Sequence, residues 1–318
     1  MPINHERIAR KTEATERLMR EFEDEALLRI NRILASGFQQ LLSQLPKEFA
    51  KLEKGKSSLG LLRTKRMMED LAEYLMILKP DQEQVIVEIL EDLYSRAINL
   101  GLDFGNQTLE GLREDFGISI DNAALGTQAN IEAAAFAAQN SIERLKNHSQ
   151  DFKVEATNII ALNLTLGIGV KKTASQLRER FGLTKSKAET IARTETLAAL
   201  NDAAKYSYKQ NNFEYVQFFA TAAIDTCQFC LGRNQQVYRI DEISLPLHPR
   251  CRCFLVPIKL DPDWITAASK EFYQEGKAQA KLGLDATSPA PFERIAGLTK
   301  APQAIVKAPD FALPKGKV

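Results

Sequence analysis

Every cysteine of the 318-residue chain lies within 27 positions, in DTCQFC (225–230) and LHPRCRC (247–253). His248, one of three histidines, falls between the two cysteine pairs. A C-x-x-C step offers two thiolates from one tight turn, and Gly232 follows it at the point where such a turn must close. In an extended C-x-C step both side chains face the same side. Four soft or borderline donors in a tetrahedron is what a structural Zn²⁺ requires. Five candidates, Cys227, Cys230, His248, Cys251 and Cys253, compete for four places. The four cysteines with His248 in support satisfy the count, and so does a set in which His248 replaces one cysteine. Two other fates for the thiols are disulfides and burial as free groups.

Enzyme chemistries written in similar letters fit less well. A zinc deaminase needs H-x-E ahead of its C-x-x-C, the glutamate moving the proton. No such step precedes Cys227. A metal-dependent nuclease acting on DNA is the alternative reading. It needs an acidic residue or a histidine beside the catalytic histidine and a second histidine later. Leu247 and Pro249 flank His248, and no histidine follows it. R-T-E at 193–195 lacks the paired E-x-E and serine-bearing strand of an ADP-ribosyltransferase.

The elements that must position these residues divide the sequence in three. Residues 1–164 read as an extended helical region. Leu18, Phe22, Ala26, Leu27, Ile30, Ile33, Leu34, Phe38, Leu41 and Leu42 recur at helical spacing over 3–53, as one long helix or two joined ones. GKSSLG (55–60) reads as a turn. Helices follow over about 61–78, ended by Lys79-Pro80, over about 81–102, and over about 127–163 on Ile131, Ala134, Ala135, Ala138, Ile142 and Leu145. Residues 105–122 look irregular. Residues 165–260 read as a small zinc-knuckle-like α+β module. In it a short helix ends at Gly182 and a second opens on a capping box of Ser186 and Glu189. Three strand candidates follow at 213–220, 236–240 and 253–258. Residues 261–318 read as a helix near 263–282 and an extended, proline-rich arm with scattered apolar anchors. The expected class is therefore α+β, predominantly α-helical.

Bulk properties exclude several functions. The apolar share is 44% and the charged share 26%, ordinary for a globular chain. A net charge of +1 gives no general attraction to nucleic acid. Contact with DNA phosphates would have to use a local patch. Lys171, Lys172, Arg178, Arg180, Lys185, Lys187 and Arg193, with Glu179 and Glu189 among them, offer one, or else form a solvated helical face. No apolar run approaches the length of a membrane helix. The amino-terminal segment is charged from the start, so the expectation is no secretory signal and a reducing compartment, which weighs against disulfides.

The helix IARTETLAALNDA (191–203) precedes a string made of Asp225, Cys227, Cys230, Gly232, Pro246, His248, Pro249, Cys251, Arg252 and Cys253. Together they resemble the phage Mu protein F type of head-morphogenesis domain, over about residues 165–258. Gly232 stands one residue closer than that family often has it. The resemblance implies a non-enzymatic minor head protein of a tailed bacteriophage or prophage. It implies association with the portal protein and with a major capsid or scaffold protein, in head assembly, DNA packaging or ejection. The implied location is the head interior or portal vertex of the virion, reached from the host cytoplasm during assembly. It also suggests that Arg193 or Glu195 bonds the loop backbone around 225–252.

Overall fold

Helical periodicity in the first two thirds of the chain is realised as five long or medium helices, and the aromatic, β-branched stretch after Asn212 becomes a small sheet. The computed structural model describes residues 5–53, 60–117, 119–121, 127–221, 227–258 and 306–307. The expected turn at 55–60, the helix near 263–282 and nearly all of the carboxy-terminal arm lie outside the described residues, as does Asp225. The helices are α1 (His5–Glu53), α2 (Gly60–Leu71), α3 (Pro80–Phe116), α4 (Thr127–Thr165) and α5 (Val170–Gln210). Strand β1 (Tyr215–Phe219) follows, then the one-turn helix α6 (Gln228–Leu231), β2 (Gln236–Arg239), β3 (Phe254–Ile258) and the two-residue β4 (Val306–Lys307). The expected class, predominantly α-helical α+β, is the observed one. Among the described residues no helix is long and apolar enough to cross a membrane.

Two compact units are assembled from segments far apart in sequence. One comprises Met1–Glu21, Ser95–Asn130 and Thr196–Val318, the other Phe22–Tyr94 and Ile131–Glu195. Helices α1, α3, α4 and α5 each contribute a stretch to both. The second unit is all-helical. Its core gathers Phe38, Leu41, Leu45 and Phe49 of α1, Met67 and Leu71 of α2, Phe152, Ala156 and Ile160 of α4, and Leu177 of α5. The Phe38 ring stacks on Phe181 with centroids 4.2 Å apart and meets Phe152 edge-on at 5.9 Å. Pro46 sits inside α1. Its missing N–H costs one helical hydrogen bond, yet Leu45 and Phe49 on either side are buried, and packing outweighs the lost bond.

Several boundaries differ from the sequence expectation. The segment 105–116 is not irregular but the last turns of α3, because Leu109 and Leu112 extend the buried stripe of Phe104. Helix α2 stops at Leu71, and residues 72–79 are turns that bury Leu75, Ile77 and Leu78 without helical geometry. Gly182 does not end a helix. It is an interior residue of α5, and Ser186 and Glu189 lie in mid-helix instead of capping one. Phe181, pinned between Phe38 and Phe152, carries the helix through the weak glycine. On α4, Ala134, Ala138, Ile142 and Leu145 are buried as expected, but Ile131 points outward at 54% exposure.

In the first unit, the sheet order is β3-β1-β2-β4, with all pairings antiparallel. Strand β3 is an edge, and α5 covers it. Asn201, fully buried, donates its amide to the Cys253 carbonyl (3.3 Å) and accepts from the Leu255 N–H (3.1 Å). The Tyr208 hydroxyl donates to the Leu255 carbonyl at 3.1 Å. Backbone groups of alternate residues in a strand point the same way, so Pro257 also turns its missing donor to this outer edge and breaks no ladder bond. Helix α3 reaches the same layer through Phe104, whose ring lies 5.1 Å from that of Phe254.

A close helix–helix approach holds α3 against α5. A Cβ built on Gly101 would lie 2.1 Å from the Leu200 carbonyl oxygen, a backbone atom that cannot swing aside. At Gly182 a Cβ would meet nothing within 4 Å. Gly101→Ala is therefore expected to destabilise the protein by about 1–3 kcal/mol through overpacking. Gly182→Ala should stabilise it by about 0.5–1 kcal/mol through helix propensity. Urea unfolding followed by far-ultraviolet circular dichroism measures both, and equal effects at the two glycines would contradict the packing.

Candidate metal centre

Sheet topology brings the two cysteine pairs together. Strand β1 ends at Phe219, and the connection to β2 carries Cys227 and Cys230 on and beside α6. Strand β2 then leads away, and the loop after it returns to start β3. Because β3 runs antiparallel to β1 with Phe219 opposite Phe254, the start of β3 lies beside the end of β1. Cys251 and Cys253, just before Phe254, therefore arrive at the sheet end from which the Cys227–Cys230 turn emerges.

Local bonds fix each donor. Cys227 caps α6, its sulfur accepting from the Cys230 N–H at 3.4 Å. Gly232 closes the turn with φ −65° and ψ −16°, a conformation open to any residue, so the turn does not draw on glycine's freedom. Asn234 accepts from the Ala220 N–H at 3.0 Å and ties the loop to the end of β1. In the second loop, Lys205 of α5 donates to the Ile243 carbonyl at 2.6 Å. Burial pushes its ammonium pKa below the ordinary lysine value. The Cys251 N–H donates to the His248 carbonyl at 3.2 Å, and Arg250 between them takes a positive φ of 61°. Arg233 lies over the Phe229 ring at 3.6 Å, and that ring meets His248 edge-on at 6.1 Å.

Donor atoms converge in two overlapping triads. Cys227, Cys230 and His248 form one, and Cys230, Cys251 and Cys253 the other, the ligand atoms of each lying within 4.8 Å of one another. The His248 Nε2 is 3.2 Å from the Cys227 sulfur and 3.0 Å from the Cys230 sulfur. The Cys230 and Cys251 sulfurs are 3.8 Å apart. Tetrahedral zinc, with Zn–S of about 2.3 Å and Zn–N of about 2.0 Å, spaces its ligands about 3.8 Å sulfur to sulfur and about 3.5 Å sulfur to nitrogen. The cluster could hold a metal ion of that kind. All four cysteines are free thiols, three of them buried, so no disulfide competes for the sulfurs.

The electrostatics agree with the donor chemistry. Thiol hydrogen bonds from Cys230 and Cys253, then the His248 ring, hold Cys251 well below the ordinary thiol range. In turn, hydrogen bonding to Cys251 raises His248 to about 9. Cys230 is pushed up by its bonds to Cys251 and Cys253. Of the three buried sulfurs, Cys251 alone is shifted toward the thiolate, and His248 is shifted toward its protonated form. A divalent cation at the centre would remove that limit and let several sulfurs ionise together.

The other residues singled out by the sequence fall elsewhere. Among the described residues, the partners of Arg193 and Glu195 lie on α1 and α4, not in the loops around 225–252. Arg193 faces Glu23 at 3.9 Å and Asp24 at 3.4 Å, both on α1, and Glu195 accepts from Arg144 of α4 at 2.5 Å. Of the basic residues, Arg180 is bound to Glu155, Lys185 lies 4.0 Å from Glu189 and Lys187 3.9 Å from Asp151. Lys171, Lys172 and Arg178 are exposed. Sequence reasoning missed Asn201 and Lys205, the α5 side chains that anchor the ligand-bearing segments. Nothing in a lone asparagine or lysine on a helix signals a strand edge or loop as its partner.

Glu23 is fully buried, and the Arg193 guanidinium lies 3.9 Å from its carboxylate. Arg193→Met is expected to destabilise the protein by about 1–3 kcal/mol by removing a cation from beside that buried carboxylate, with Arg193→Lys milder. Chemical unfolding measures both, and a neutral Arg193→Met would show that the pair is dispensable.

With this geometry in place, comparison with known proteins is informative. The family model described as Phage Mu protein F like protein matches residues 154–256, a third of the chain. No curated protein and no solved structure matches the chain. The match spans the end of α4, α5, the sheet strands β1 to β3 and all five candidate ligands. Over residues 154–256 the chain is similar to the Phage Mu protein F like family.

Proposed function

We propose that this protein is a head-morphogenesis component of a tailed bacteriophage or prophage. In this reading it is a minor head protein associated with the portal vertex or capsid interior. Residues 165–260 serve as the docking module, zinc stapling the loops at the end of the sheet. Residues 1–164 and the arm 261–318 extend its contacts toward portal and capsid or scaffold protein. The observation that carries this reading is the coincidence of the family match with the cysteine–histidine cluster. The ion's part is to tie the Cys227–Cys230 turn to the segment that starts β3. Lys171, Lys172 and Arg178 are the cations best placed to touch packaged DNA, since the other basic side chains of that segment face carboxylates.

A hydrolytic site of the Mg²⁺ type is built from carboxylate and other oxygen ligands. Here the donors are sulfur and nitrogen, and both ring nitrogens of His248 already have neighbours. That chemistry favours the structural role over the nuclease.

The full chain, coexpressed with the portal and major capsid proteins of the same phage or prophage, should co-purify with portal and sediment with procapsids. Failure to associate with either would overturn the assignment. Plasmid nicking with Mg²⁺ or Mn²⁺ that vanishes in His248→Ala would replace it with the nuclease. Cys230 belongs to both triads, so Cys230→Ser should weaken zinc retention by at least about 100-fold, the upper end of what loss of an outer-shell partner costs. It should also lower the thermal midpoint. Elemental analysis and circular dichroism measure the two effects.

A further inference from the structure

Five donors surround a centre that needs four. Three contacts distinguish the fourth ligand. First, His248 Nε2 lies 3.2 Å from the Cys227 sulfur and 3.0 Å from that of Cys230. The imidazole thus contacts both sulfurs of the C-x-x-C pair. Second, the Cys251 sulfur lies 3.8 Å from that of Cys230, the spacing of two thiolates on one tetrahedral zinc. Third, His248 Nδ1 lies 2.9 Å from the Pro249 carbonyl oxygen. A carbonyl can only accept, so Nδ1 carries a proton, and it is Nε2 that faces the sulfurs and, once deprotonated, would offer its lone pair to a metal. Metal-ligating histidines are oriented by this kind of outer hydrogen bond. The Phe229 ring, held by Arg233, braces the imidazole from its edge.

Resting on the metal-clamp reading above, we infer that the ion is held by Cys227, Cys230, Cys251 and the Nε2 of His248, with Cys253 a buried, non-ligating thiol. Cys253 has another task. Its carbonyl is the anchor for Asn201, and its side chain fills the core at the start of β3. The bend at Arg250, with its positive φ, turns the chain between His248 and Cys251 so that both face one centre.

X-ray absorption on the zinc-loaded full chain should give three sulfur ligands and one nitrogen. Four sulfurs would overturn the assignment without any mutation. In chelator competition, Cys253→Ser should keep zinc affinity within about threefold of the parent. His248→Ala should lose at least about 100-fold, above the range for outer-shell partners. His248→Cys should recover binding and give a four-thiolate cobalt spectrum. Loss of the ion in Cys253→Ser with retention in His248→Ala would establish the four-cysteine set instead, and retention in both would also overturn the proposal. A parent chain that takes up no zinc would instead sink the clamp, a failure distinct from a wrong choice of ligands.

Discussion

The antiparallel pairing of β1 with β3 is the constraint on which the candidate site depends. With Phe219 opposite Phe254, the residues just before β3 must lie where the chain leaves β1. Any other register would move Cys251 and Cys253 along the sheet, away from the α6 turn. A slip of one residue would also reverse which side of β3 faces the core. The register is held from outside the sheet as well. Asn201 reads the backbone of Cys253 and Leu255 as a neighbouring strand would, and Tyr208 adds a third bond on the same edge. Helix α5 therefore sets the strand, and the strand sets two of the sulfurs.

A second constraint is electrostatic. Three buried thiols within one cluster cannot all ionise in a medium of low dielectric. The mutual contacts shift Cys251 toward the thiolate and His248 toward its protonated form. A divalent metal held there would displace such protons as it bound. The same low dielectric explains why the loops carry so many satisfied backbone bonds, from Lys205 to Ile243 and from Ala220 to Asn234.

The RTE segment illustrates how a family resemblance can find a residue and miss its partner. Arg193 and Glu195 do sit on the helix that leads into the matched domain's sheet. Their charges nonetheless face α1 and α4, where Glu23 is buried and Arg144 lies within 2.5 Å of Glu195. They contribute to the all-helical unit, and the segments that carry the second cysteine pair are positioned instead by the uncharged Asn201 and by Lys205, further along the same helix.

Sequence alone determined the helical class, the three strands and the identity of the five candidate donors. These follow from local chemistry. Apolar side chains at a period of 3.6, aromatic and β-branched clusters, and C-x-x-C spacing are properties of neighbouring residues. The continuity of α5 through Gly182, the extension of α3 to Phe116 and the non-helical burial of Leu75, Ile77 and Leu78 were decided by tertiary packing. In each case contacts from distant segments outweighed a local stop or start signal. The grouping of His248 with Cys227 and Cys230 likewise needed the fold. Eighteen and 21 residues separate them, and only the path from β1 through β2 back to β3 closes that distance to hydrogen-bonding range.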